Sequence, residues 1–170
     1  PGHGIQITHG DFAGRLLIPY HISGSSTAWY SDDHGVTWLS SSPVGLGNES
    51  EIAEVGGAGA LVMVVRPNHP VAQPHDPLNA LFSFSIDGGI TWTEAAANED
   101  LKTSICMASL VGFEDSLFYS YPDDYYSRAN MSISISDDSG QSYPEKLLIY
   151  SGPSGYSDLG VLSNGDLLLL

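Results

Sequence analysis

The sequence predicts an all-β protein, and within that class a β-propeller of which this chain holds about three blades. Three observations carry the prediction. First, one short pattern recurs three times, at residues 31–38 (Ser-Asp-Asp-His-Gly-Val-Thr-Trp), 85–92 (Ser-Ile-Asp-Gly-Gly-Ile-Thr-Trp) and 136–143 (Ser-Asp-Asp-Ser-Gly-Gln-Ser-Tyr). The copies start 54 and 51 residues apart, a spacing on the scale of one four-stranded propeller blade. Second, each copy follows a short run with strand character, either alternating or continuously apolar and bounded by turn residues. Third, no segment sustains a 3.6-residue apolar period between helix caps.

Taken along the chain, residues 15–18 and 27–31 read as strands before the first repeat. Residues 60–65 (Ala-Leu-Val-Met-Val-Val) form a continuous apolar run suited to an inner strand covered on both faces, and residues 81–85 lead into the second repeat. Residues 116–120 are another apolar run. Residues 130–136 give the clearest alternation, with Met131, Ile133 and Ile135 on one face and three serines on the other. Each repeat then reads as a hairpin turn. Its Asp (Asp33, Asp87, Asp138) accepts backbone N–H groups inside the turn. The Gly two residues later takes a positive φ that a Cβ resists, and the aromatic (Trp38, Trp92, Tyr143) wedges between sheets. An EF-hand reading fails, because the alternating acidic ligands and distal bidentate Glu are missing. Residues 163–170 read as a turn leading into a further strand. Three blades are half of a ring, so the sequence predicts a partial domain over residues 1–170 with two open sheet faces and an unpaired edge.

Composition narrows the function. Five Lys and Arg stand against twenty Asp and Glu, a net charge of −15. That balance argues against nucleic acid, where affinity rests on basic residues at phosphates, and against anionic membrane surfaces. No apolar run reaches membrane-spanning length, and the first residues show no targeting segment. With so few basic residues, the positions of Arg15, Arg66 and Arg128 are informative. Cys106, in an apolar stretch, reads as a buried, inert thiol. The six histidines (His3, His9, His21, His34, His69, His75) match no metal-ligand spacing, and no Gly-x-Ser-x-Gly elbow or phosphate-cradling loop is present.

The repeats resemble the Asp boxes of the sialidase (neuraminidase) superfamily, and further segments extend the resemblance over essentially the whole chain. Gly2-His3-Gly4-Ile5-Gln6 with Gly14-Arg15-Leu16-Leu17-Ile18-Pro19 is similar to the family's G-x-G-I-Q … G-R-L-x-x-P stretch. Asn48-Glu49-Ser50-Glu51-Ile52-Ala53-Glu54-Val55 resembles the segment bearing the family's catalytic Glu, and Gly152-Pro153-Ser154-Gly155-Tyr156-Ser157-Asp158-Leu159 resembles that of the nucleophilic tyrosine. Arg66 and Arg128 match the second and third members of the family's arginine triad. Lysosomal-type animal sialidases and related bacterial exo-sialidases share these features. The resemblance implies a six-bladed propeller that hydrolyses terminal sialic acids from glycoconjugates with retention, without cofactor or metal, in a secreted or lysosomal setting. It assigns Tyr156 as nucleophile, Glu49 as its base, and Arg66 and Arg128 as ligands of the substrate carboxylate. The family's first triad arginine and its general-acid Asp have no match here, which implies that they belong to N-terminal blades outside residues 1–170.

Elementary chemistry suits these residue types. A sialoside carries a carboxylate on its anomeric carbon, which repels an Asp or Glu nucleophile. A neutral phenol avoids that repulsion but, with a pKa near ~10, needs a neighbouring base; sialidases are a recognised exception to the two-carboxylate rule. A guanidinium fork holds a carboxylate bidentately. Plainer readings stand beside these: Tyr156 as a rim residue, Glu49 within a solvated acidic strand that includes Glu51 and Glu54, Arg66 capping a strand, and Arg128 paired with Asp123 or Asp124. Arg15 reads as structural. In a strand, Glu49 and Glu51 share a face opposite Glu54. The tyrosine-rich residues 119–126 read as a loop at the pocket rim or simply an ordered surface loop. Two rival functions are a non-catalytic propeller that binds glycan or protein, and a trans-sialidase.

Overall fold

The computed structural model describes residues 2–45, 47–68 and 78–170, so His69 and His75 lie outside the described residues. Fourteen strands fall in chain order into three four-stranded antiparallel sheets and a hairpin. The first sheet holds β1 (Ile5–Gln6), β2 (Leu16–Ile22), β3 (Ser25–Ser31) and β4 (Leu39–Ser40). The second holds β5 (Ser50–Val55), β6 (Ala60–Val65), β7 (Leu78–Ser85) and β8 (Ala96–Thr103). The third holds β9 (Ser109–Phe113), β10 (Ser116–Pro122), β11 (Ala129–Ser136) and β12 (Glu145–Pro153). β13 (Leu159–Val161) and β14 (Leu167–Leu169) pair as the hairpin. No helix occurs among the described residues. The chain is a partial propeller of three complete blades, and the strand expected after residues 163–165 is β14, the second strand of a further sheet.

Two cores lie between the blades. Leu17, Ala28, Ile52, Leu61 and Met63 pack the first sheet on the second, and Val62, Val64, Phe82, Leu110, Leu117, Tyr119 and Tyr121 pack the second on the third. Two of the three box aromatics reach these cores, Trp92 packing against the first and Tyr143 buried in the second, whereas Trp38, expected to wedge in the same way, joins neither. On the first sheet, the face away from this core carries Ile18 and Trp29, 45% and 42% exposed.

The alternation in β11 holds, but its serine face is the one packed between blades. Ser132, Ser134 and Ser136 are 1%, 0% and 0% exposed, because their β10 neighbours Tyr121, Tyr119 and Leu117 fill the space above them. Small residues beside large ones keep the sheets at packing distance. The inner strands also approach closely. A Cβ on Gly112 of β9 would lie 1.9 Å from the Glu54 carbonyl oxygen of β5, which only glycine permits.

Each box closes as the sequence predicts. Asp33 accepts from the Thr37 backbone N–H at 2.8 Å and the Thr37 hydroxyl at 2.6 Å; Asp87 with Thr91 and Asp138 with Ser142 repeat the pattern. The Thr37 hydroxyl, its backbone N–H and the Ser31 hydroxyl pull the Asp33 carboxyl down to about 2. The turn uses two left-handed residues in succession, His34 (φ 57°) with Gly35 (φ 85°) and Ser139 (φ 61°) with Gly140 (φ 86°). Arg15 ties one box to the next, donating to both Asp32 carboxylate oxygens at 2.7 and 2.8 Å and to the Gly88 carbonyl at 2.9 Å.

Candidate active site

Antiparallel pairing of Ser50 with Val65 puts Glu49 and Arg66 side by side where β5 begins and β6 ends, and the Arg66 N–H donates to the Glu49 carbonyl at 2.8 Å. The connection from β12 to β13 brings Tyr156 across to them. Its hydroxyl donates to the two Glu49 carboxylate oxygens at 2.8 and 3.0 Å. Arg66 Nη1 donates to Glu49 Oε2 and, at 3.1 Å, to the Tyr156 hydroxyl. Glu49 and Arg66 side chains are 15% and 17% exposed, whereas Tyr156 is 55% exposed and open to a ligand.

Arg128 enters from the β10–β11 connection, with its guanidinium carbon 5.5 Å from the centre of the Tyr156 ring. It donates through Nε and Nη2 to the Ile105 carbonyl at 3.2 and 2.7 Å. The two acids near it in sequence are otherwise engaged: Asp123 pairs with Lys146 at 2.8 Å, and Asp124 accepts the Tyr126 and Ser127 N–H groups. All four residues singled out in the sequence therefore meet at one place. Cys106 is buried close by, and burial pushes its thiol up against the opposing pull of Arg128 and Arg66.

The charges have a definite balance. Burial pushes the Glu49 carboxyl up, but the hydrogen bonds from Arg66 and Tyr156 and the Arg66 charge outweigh it and hold Glu49 below its ordinary value. The bond to Glu49, then burial and the Glu49 charge, push the Tyr156 phenol up, opposed by Arg66 and Arg128. At rest the proton stays on Tyr156. The arrangement can take that proton onto Glu49 as the phenol oxygen forms a bond, while two cations offset nearby negative charge.

The three glutamates of the segment have separate surroundings. Glu54 faces away from Glu49, as the alternation predicts, and clamps Thr8 and His9, accepting their backbone N–H groups at 2.8 Å each. Glu51 is 1% exposed, accepts from Ser109 at 2.9 Å and has its Oε1 3.0 Å from His3 Nδ1. His3 Nδ1 also lies 3.0 Å from Asp158 Oδ1. These are hydrogen-bond separations, and among the described residues this is the one group gathering three candidate ligand atoms within 4.8 Å. Sequence spacing could not reveal it, since His3 and Asp158 are 155 positions apart; the available sign was that Glu51 and Asp158 each stand two residues beyond a site residue.

Comparison with known proteins places the chain in a family. Residues 1–169 match the family model described as a BNR repeat-like domain. The chain belongs to the sialidase superfamily with BNR repeats. It is 29% identical over 188 residues to a sialidase of Micromonospora viridifaciens, covering 99% of this chain and 28% of that one. The structure of the Hadza microbial sialidase Hz136 superposes with a TM-score of 0.76 at 30% identity, over 94% of this chain and 32% of that one. The intramolecular trans-sialidase from Ruminococcus gnavus, solved with oseltamivir carboxylate, gives 0.81 at 26% identity, over 100% of this chain and 38% of that one. The chain thus spans about a third of the length of these relatives.

Proposed function

We propose that this chain carries the nucleophile side of a sialidase active site, which cleaves terminal α-linked sialic acids from glycoconjugates with retention. The hydrogen bond from Tyr156 to Glu49, 2.8 Å long with Arg66 and Arg128 beside it, is the observation that supports this most directly. In this reading the substrate carboxylate is held by the two guanidinium groups. The Tyr156 oxygen bonds to the anomeric carbon as its proton passes to Glu49, and the glycosidic bond breaks with its electron pair going to the leaving oxygen. That oxygen takes a proton from a general acid, for which the family's Asp has no counterpart in residues 1–170. In the return step the deprotonated general acid takes a proton from water as the water oxygen bonds to the anomeric carbon; the bond to Tyr156 breaks with its electron pair going to the phenol oxygen, which takes its proton back from Glu49. A merely glycan-binding propeller has no need of a part-buried carboxylate matched to a phenol and two arginines.

A fluorinated sialic acid that traps glycosyl-enzyme intermediates tests the reading on the protein with its native flanking sequence. A mass shift on the Tyr156 peptide is expected, lost in Tyr156→Phe and slowed by at least ~100-fold in Glu49→Gln; turnover of a fluorogenic sialoside with the label elsewhere would overturn it. The similarity to an intramolecular trans-sialidase supports a second reading, in which an acceptor other than water receives the sialyl group. Product analysis by NMR separates the two.

A further inference from the structure

Glu49 and Tyr156 are held together by more than their own hydrogen bond. Two residues further along each segment, Glu51 and Asp158 meet across His3, whose Nδ1 is 3.0 Å from a carboxylate oxygen of each. The pair Glu49–Tyr156 and the group Glu51–His3–Asp158 therefore form two rungs between residues 49–51 and residues 156–158, the second bridged by His3 from the segment before β1. The second rung is anchored more deeply than the first. The Glu51 side chain is 2% exposed, Ser109 Oγ donates to it at 2.9 Å, and the same oxygen accepts the Leu159 N–H at 2.9 Å. Elsewhere the connection carrying Tyr156 is tied through backbone and hydroxyl groups: Ser154 N–H reaches the Arg128 carbonyl at 2.8 Å, Ser157 reaches Ser120 at 2.8 Å, and the Asp158 backbone pairs with Leu170 at 3.1 and 3.0 Å, so the Asp158 carboxylate is the side-chain contact that joins it to β5 through His3.

We propose that His3, Glu51 and Asp158 form a positioning node that sets the reach of Tyr156 to Glu49. The node touches neither substrate nor reacting atoms; it acts by fixing where the segment carrying Tyr156 crosses β5. The inference rests on the reading of Tyr156 as nucleophile for its effect on rate, but the contact it controls is measurable without turnover.

Two variants and two readouts test it in the protein with its native flanks. Asp158→Ala removes one of the two carboxylates that face His3 Nδ1 at 3.0 Å, whereas Asp158→Asn keeps a side-chain oxygen in the same place. With a fluorogenic sialoside, Asp158→Ala should lower kcat by at least ~10-fold with KM changed less than ~3-fold, because alignment and not binding is lost. Asp158→Asn should recover to within ~3-fold of the parent. Independently of activity, ¹³C-tyrosine NMR, with the Tyr156 resonance assigned through Tyr156→Phe, reads the phenol's titration. That midpoint should fall in Asp158→Ala, as the Glu49 bond loosens, and return in Asp158→Asn. A folded Asp158→Ala protein with the parent titration of Tyr156 overturns the node whatever the activity, as does equal impairment of the two variants. A parent protein with no sialoside turnover, but with a Tyr156 titration that shifts in Asp158→Ala, instead overturns the functional reading and leaves the node standing.

Discussion

Tyr156 and Glu49 divide one proton unequally, and the division has consequences for pH. Burial raises the Glu49 carboxyl, yet the Arg66 and Tyr156 hydrogen bonds with the Arg66 charge hold it below 4.5, its ordinary value. A base must be ionised to act, so kcat/KM should fall on the acid side with a midpoint below 4.5. Arg66→Met removes the charge that lowers Glu49, so this acid limb should move to higher pH. The same variant loses a carboxylate ligand, and KM should rise by about 10–100-fold. A limb that stays in place in Arg66→Met would show that Arg66 does not govern Glu49. Residue types made this much legible in advance: few arginines, a Glu and a Tyr in marked segments. What residue types could not show is which nitrogen goes where. Arg66 spends Nη1 on Glu49 and Tyr156 while its Nε is buried without a partner among the described residues, and Arg128 leans over the Tyr156 ring with two donors on Ile105. Those details depend on contacts between separate blades.

The box turns were readable from the sequence because every bond that makes them lies within eight residues. Asp87 binds the Thr91 N–H and hydroxyl at 2.9 and 2.5 Å and accepts from Ser85 at 2.8 Å. Asp87→Ala should therefore cost about 2–3 kcal/mol in urea unfolding, with the folded protein's KM unchanged. The aromatic position is less uniform than the motif suggests. Trp38 and Trp92 donate Nε1–H to the box Gly carbonyl at 3.0 and 3.1 Å. In the third box a phenol replaces the indole, and the buried Tyr143 hydroxyl has no partner among the described residues. Tyr143→Phe should thus stabilise the protein by about 1 kcal/mol, since an unpaired buried hydroxyl is removed while the ring stays packed on Phe82 and Tyr119. A loss of stability would show that the hydroxyl is satisfied. The serine row of β11 was legible as alternation but not as a core face, because its burial is decided by the tyrosines of β10, a cross-strand neighbour that period-two reading does not see.

At the scale of the molecule, four sheets meet at Glu51. It belongs to the second blade; His3 comes from the segment before β1, Ser109 from β9 of the third, and Asp158 from the approach to the β13–β14 hairpin. Val64, its partner on β6, brings no charge. Burial, first, and the Asp158 charge push the Glu51 carboxyl up to about 7, against the pull of His3, Ser109 and the Leu110 N–H. The unfolded chain returns it to 4.5. A carboxyl raised on folding binds its proton more tightly in the folded state, so its contribution is full below 4.5 and is lost as pH climbs through about 7. The amount at stake is of order 2–3 kcal/mol, or about 4–10 °C in Tm for a chain of this size. The melting temperature of the parent should consequently fall by that much between about pH 5 and pH 8. Glu51→Gln has no proton to lose and keeps hydrogen-bonding capacity, so its curve should be flatter across the same interval and cross above the parent at the alkaline end. If both curves fall in parallel, Glu51 is not the group that titrates, and the blades are joined at this point without a shared proton.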